Sequence, residues 1–345
     1  MRTIILLALV LSLVIPVSGA ELSPPEVPES GRMFMPSATE NFAAGLYQVI
    51  RDGLRAIAPD IREGSQLCIA LFAIILLESI MALLPGTAAH TGELTTAAGI
   101  SVLLLRPSGV MIRLASTTVT EICEYGKLLL PVMTAAMASQ GAVTSSAAIC
   151  AVTVMFSTFL NSLIVNILIP MTYFYLALAI ASGFAGHDML KRIRDGLKWI
   201  QTWCMKIVLY TFTGVVGITG VVSGTADAAA LKVAKIGISN AVPVVGTILS
   251  DASEAVLTGA QIVKNAAGIY GMFAVAAVWV YPFFKIGLQY VILKGIAALC
   301  QIIGGKKGVD LITDFSTAMG FLLGMTGSVS IMVLISTVCF MKGIG

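Results

Sequence analysis

Apolar runs separated by short polar breaks dominate the chain from residue 67 onward. Leu67–Leu84 is the first run long enough to cross a membrane, and Pro85-Gly86 ends it. Ala147–Ala185 is almost free of charge and, at 1.5 Å per residue, long enough for two crossings of a roughly 30 Å hydrocarbon core. Asn161, Asn166 and Pro170 mark its middle, which predicts a tight turn or a kink there. Ile207–Val222, Ala266–Pro282, Ile286–Ile303 and Phe315–Met341 follow as further apolar helices.

Between these runs the pattern changes. In Phe42–Ile61, Phe42, Leu46, Val49, Ile50, Leu54 and Ile57 follow helical spacing, while Arg51, Asp52 and Arg55 take the other face. That predicts an amphipathic helix lying on the membrane or on a partner. In Thr91–Gln140, Arg106-Pro107, Arg113, Glu121, Glu124 and Lys127 cut the apolar patches short, which predicts interfacial or re-entrant helices. Gly224–Lys264 is the most polar internal stretch. Ala226–Ser239 and Asp251–Lys264 read as two amphipathic helices joined through Pro243, with Asp251, Glu254 and Lys264 offering a partner surface.

Four prolines hint at an internal repeat. Pro131 and Pro243 are as far apart as Pro170 and Pro282, and at the same offset Leu176 matches Leu288 and Gly183 matches Gly295. Helix interiors normally exclude proline. Paired units with broken apolar helices are a common plan of transport-type membrane folds. The predicted organisation is a signal peptide at 1–20 and an extracytoplasmic linker with its amphipathic helix at 21–64. The first span and interfacial helices follow at 65–129, then one membrane unit at 130–223, a polar linker at 224–241 and a second membrane unit at 242–345.

Composition fixes the class. Hydrophobic residues make up 57% and charged residues 11%, and mean hydropathy is +0.96; soluble domains carry about 25% charge. The fold class is therefore all-α, a polytopic helical integral membrane protein. A net charge of +3 gives no case for nucleic acid. Arg2, the apolar Ile4–Val14 and the small residues of Ser18-Gly19-Ala20 read as a cleavable signal, with an uncleaved anchor as the alternative. Lys191, Arg192, Arg194 and Lys198 form the densest basic cluster, which the positive-inside rule places in the cytoplasm.

Candidate chemistry is sparse. His90 and His187 stand alone, without an H-E-x-x-H pattern. Neither a G-x-S-x-G elbow nor a phosphate-binding G-x-x-x-x-G-K-[ST] loop is present. The six cysteines are far apart and lie mostly in apolar runs, which reads as reduced buried thiols. No catalytic residue, metal or cofactor is expected. Polar positions in apolar helices remain: Glu78, Asn161, Asn166 and Lys285 are candidates for lining a polar interior. Glu78 and Lys285 have an alternative role, reaching the headgroups from helix ends. Gly214, Gly217, Gly220 and Gly224, and later Gly320, Gly324 and Gly327, form ridges that suit close helix packing.

The stretch Ser239-Asn240-Ala241-Val242-Pro243-Val244-Val245-Gly246, with Asp251-Ala252, Lys264-Asn265 and Pro282, resembles the stage III sporulation protein AE family of endospore-forming bacteria. Pro131-Val132-Met133-Thr134-Ala135 and Gly141-Ala142-Val143-Thr144-Ser145 add to the resemblance, which covers roughly 130–305. It implies a multi-pass protein of the mother-cell membrane around the forespore. It further implies a subunit of the channel or feeding-tube complex that joins the two cells, partnered by the bilayer and by other stage III sporulation membrane proteins. The alternative is a non-conducting scaffold within that complex. The resemblance brings no catalytic residues and names no transported substrate.

Overall fold

The computed structural model describes residues 24–37, 42–83, 88–139, 142–185, 188–241, 246–303 and 306–342, without the side chains of residues 88, 89, 188, 217, 219–264 and 342. Every described element is helical. The order is α1 (Glu29–Arg32), α2 (Phe42–Ala56), α3 (Ala58–Met81), α4 (Ala88–Ala138), α5 (Val143–Leu163), a π-helical segment (Ile164–Leu168), α6 (Ile169–Ala185), α7 (Asp188–Ala241), α8 (Gly246–Ile303) and α9 (Lys306–Lys342). The predicted signal peptide lies outside the described residues.

Contacts fix the direction of each helix. Gly92 packs on Met81 and Gly99 on Ile74, so α3 and α4 are antiparallel. Lys307 reaches Glu93, and Gly126 packs on Val333, so α4 and α9 run the same way. Lys285 meets Asp60, Gly64 meets Ile292 and Ser79 approaches the Ile303 carbonyl, so α3 and α8 are parallel. The α5–α6 run opposes α4, with Asn161 beside Thr120 and Gly183 beside Ala97. Helix α7 then returns alongside α6. In this bundle α9 touches α4, α5, α6, α7 and α8 and is the central element.

Among the described residues, five helical stretches are long and apolar enough to cross a membrane: Ala58–Met81, His90–Ala138, Val143–Ala185, Asn265–Ile303 and Lys306–Met341. Large apolar side chains on their outer faces remain exposed, among them Ile69, Leu76, Val102, Phe174 and Val291. Lipid is the solvent such a face requires. Helices α4, α7 and α8 contain 51, 54 and 58 residues. At 1.5 Å per residue each exceeds about 75 Å, far more than the roughly 30 Å hydrocarbon core, so each continues beyond it.

Several sequence expectations change here. Thr91–Gln140 forms no short interfacial or re-entrant helices: α4 runs unbroken through Pro107 and Pro131. Its charges fit because Arg106, Arg113 and Glu124 sit on exposed faces. Ala147–Ala185 makes no tight turn. The chain passes from α5 into α6 through the π segment, which ends one residue before Ile169-Pro170. Proline lacks the N–H that would bond the preceding turn, and a wider π turn is one way a helix absorbs that loss. Helix α8 likewise continues through Pro282. The expected linker at 224–241 is the end of α7. Pro170 and Pro282 thus both lie in helices running the same way, Pro131 lies inside α4, and Pro243 falls outside the described residues.

The amphipathic helix α2 packs against α8 through only part of the expected stripe: Val49 is buried and Phe42 stacks on Phe273. Its buried residues are Gly45, Val49 and Gly53. A Cβ on Gly45 would fall 2.5 Å from Phe273 Cζ, and one on Gly53 2.5 Å from Val280 Cγ2. Ile50 and Leu54 face outward.

Candidate functional site

Two polar cavities sit among the spans, and the sequence-predicted residues distribute unevenly between them. The first, about 200 Å³, opens where α6, α7 and α9 meet, and is lined by Ser182, Lys191, Arg194, Lys306, Lys307, Asp310 and Asp314 with Ala179, Gly183 and Leu311. Arg194 faces inward from a turn whose neighbours Lys191, Arg192 and Lys198 are all exposed. Its guanidinium pairs with Asp314, and both residues are 7% exposed. Ser182 Oγ accepts from Arg194 Nη1 at 3.1 Å, and the Tyr175 hydroxyl donates to Asp314 Oδ1 at 2.9 Å. Together these groups lock α6, α7 and α9. The Nε donor of Arg194 is buried and has no partner.

Next to this cavity lies Glu78, 4% exposed. The headgroup role read for it does not hold. Glycine at position 308 gives it room, since a Cβ there would stand 3.0 Å from Glu78 Oε2 and 3.0 Å from Thr96 Cγ2. Oε2 has no hydrogen-bond partner among the described residues. Lys307 Nζ donates instead to Glu93 Oε2 at 2.6 Å.

The second cavity is larger, about 630 Å³, and lies between α3, α4 and α8. Asp60, Glu63, Gln66, Arg106, Lys285 and Gln289 form its polar part; Leu67, Leu103, Val110 and Met111 are among its apolar walls. Lys285 does not snorkel. Its Nζ is 2.8 Å from Asp60 Oδ1 and donates to the Tyr281 hydroxyl at 2.9 Å. Gln289, one helical turn further along α8, is buried and its Nε2 is unpartnered.

The remaining candidates stand apart. Asn161 lies beside Thr120 on α4, and exposed Asn166 donates only to Ser162 on its own helix. Between α6 and α7 a different amide does the bridging: Gln201 Nε2 donates to the Leu168 carbonyl at 3.1 Å and to Thr172 Oγ1 at 3.0 Å, just before Pro170 and just after it. Among the predicted packing glycines, Gly320 meets Tyr290 at 3.5 Å, whereas Gly214, Gly324 and Gly327 have nothing within 4 Å. Close packing is supplied by Gly31, Gly45, Gly53, Gly64, Gly268 and Gly271 instead. The surroundings of Gly217, Gly220, Gly224, Asp251, Glu254 and Lys264 fall outside the described set. None of the six cysteines forms a disulfide among the described residues. Among the described residues no group of three or more His, Cys, Asp or Glu is arranged to hold a metal.

Asp60, Arg194, Gln201, Asp314 and Gln289 escaped sequence reasoning. Asp60 and Gln201 find their partners on another helix, and so do Asp314 and Arg194, 120 positions apart, the latter visible in the sequence only as one of a basic cluster. The one available signal was that a lone ionisable residue inside an apolar run needs a partner somewhere.

Comparison with known proteins places this geometry in context. A family model described as stage III sporulation protein AE matches residues 33–343. The stage III sporulation protein AE of Bacillus subtilis (strain 168) is 25% identical over 235 residues, covering 68% of this chain and 59% of that relative. The match thus spans less than two thirds of the relative's length. No solved structure matches the chain.

Proposed function

The chain belongs to the stage III sporulation protein AE family, and from that membership we propose that it is a permease- or channel-like membrane subunit of the sporulation complex linking mother cell and forespore. It would sit in the mother-cell membrane around the forespore, with its mature N-terminus extracytoplasmic. Its partners would be the bilayer and the other stage III sporulation membrane proteins. It would support late forespore development without catalysing a reaction. The observation that carries this reading is the 630 Å³ cavity, where the Lys285–Asp60 pair and the unpartnered Gln289 amide line space between three helices long enough to cross a membrane. Charged and amide groups between apolar helices of this kind are costly and typically mark a polar pathway.

One observation favours a second reading, a non-conducting scaffold. Between the two cavities the interior is closed by Leu71, Ile75, Ile100, Leu104, Ile286 and Leu293, all without exposure. A conducting form then needs either a further state or a path completed by partner subunits. Single cysteines introduced along Ala266–Ile303 in the assembled complex decide between the readings. A stripe that reacts with water-borne thiol reagents through mid-membrane depth supports a conduit; uniform protection there supports the scaffold.

A further inference from the structure

We propose that the Arg194 cavity is a binding site for a phosphate-type anion, presented either as a free solute or as a lipid headgroup. Lys191 and Arg194 on α7 and Lys306 and Lys307 on α9 put four cations on its wall, against the two carboxylates of Asp310 and Asp314. Two of those cations are already engaged: Arg194 with Asp314, and Lys307 with Glu93. Lys191 and Lys306 make no ion pair among the described residues and stand exposed at the rim.

The second observation is inside. Arg194 is more than nine-tenths buried, yet its Nε donor has no acceptor. Ser182 and Asp314 hold Nη1, so the planar guanidinium is fixed, and Nη2 makes no hydrogen bond among the described residues; a guanidinium edge of this kind suits phosphate oxygens. The cavity wall also includes the opening of α9, a 37-residue helix starting at Lys306. The leading N–H groups of a helix lack intrahelical acceptors, and its dipole favours negative charge there. A volume of about 200 Å³ is several times the roughly 30 Å³ share of one water.

This assignment does not rest on the conduit reading, because equilibrium binding by the isolated chain requires no transport. The full chain in neutral detergent is titrated with inorganic phosphate by calorimetry. In a second arm it is placed in phosphatidylcholine nanodiscs with rising phosphatidylglycerol, and bound lipid is counted by native mass spectrometry. The same measurements are made on Lys191→Gln/Lys306→Gln, which alters only exposed rim residues. The control is Lys198→Gln/Lys206→Gln, two exposed lysines of α7 outside the cavity. Saturable binding is expected in one arm or both, at least tenfold weaker in the rim variant and unchanged in the control; the responding arm identifies the carrier. No saturable binding in either arm overturns the assignment. So does equal weakening in both variants, which would reveal diffuse charge attraction, or an unaffected rim variant.

Discussion

Arg194 on α7 and Asp314 on α9 form an ion pair from which water is excluded on all but 7% of each residue. Such a pair contributes little net stability when compared with apolar residues of the same shape, yet removing one partner strands a buried charge. Asp314→Asn and Arg194→Gln are therefore each expected to cost about 3–5 kcal/mol. Arg194→Met with Asp314→Leu should be markedly less damaging than either single change. Thermal unfolding of the unsubstituted protein, Arg194→Met, Asp314→Leu and the double variant in one detergent closes the double-mutant cycle. Additive losses would remove the pair from the account of how α7 docks on α9.

A gentler dependence is expected at the other cavity. Lys285 and Asp60 retain some solvent access, with side-chain exposures of 22% and 17%. Lys285→Gln and Asp60→Asn should each lose about 1–3 kcal/mol, the range for a hydrogen bond to a charged group. The two losses should be non-additive, because either change breaks the same contact. Lys285→Arg should keep the Asp60 pair and lose less. Sporulation assays beside the unfolding data separate roles. A Lys285→Gln protein that inserts normally and accumulates to normal levels, yet fails to support sporulation, assigns the lysine to function as well as to packing.

Glycine positions give the cleanest contrast between sequence and structure. Ridges such as Gly214 and Gly324 are conspicuous in the sequence, yet both face open space. Ala substitution there should leave stability within about 1 kcal/mol, since only backbone propensity changes. At Gly45 a Cβ would stand 2.5 Å from the Phe273 ring, and at Gly271 2.4 Å from Leu129. Gly45→Ala and Gly271→Ala should cost about 1–3 kcal/mol through overpacking. Unfolding midpoints of the four variants decide this, and equal midpoints would contradict the close packing of α8 on its neighbours.

That contrast shows where legibility ended. Periodicity located the apolar runs because burial in lipid or protein requires apolar side chains, so 266–303 and 315–341 fall inside α8 and α9, and the run that begins at 67 follows α3 to its end at Met81. It could not join them into 50-residue helices, because prolines and charges inside a helix read locally as breaks. In α2 it found Val49 but missed Gly45 and Gly53, because hydropathy weights Ile50 and Leu54 above them. Close approach to α8, however, requires the absence of a side chain. Of the polar candidates, Glu78 and Lys285 were visible as charges in apolar surroundings. Their surroundings (Thr96 and Gly308 for one, Asp60 and Tyr281 for the other) come from chain-distant helices or from a turn away, and no local pattern announces them.

Topology supplies the last prediction. The sequence leaves the side of Lys306-Lys307 open, because an inverted repeat would separate it from the Lys191–Lys198 cluster and a parallel one would not. In the fold, Lys191, Arg194, Lys306 and Lys307 line one cavity, so both basic segments lie at the same end of the bundle. The positive-inside rule then assigns that end to the cytoplasm twice over. Met33, 76% exposed, follows α1, whose Gly31 packs on Val278, well down α8 from that end. In a background lacking the six native cysteines, Gly196→Cys and Lys306→Cys should react with a membrane-impermeant maleimide only after the membrane is opened. Met33→Cys should react in intact cells. Labelling of Lys306→Cys from outside, with Gly196→Cys protected, would contradict both the shared end and the cytoplasmic placement of the anion site.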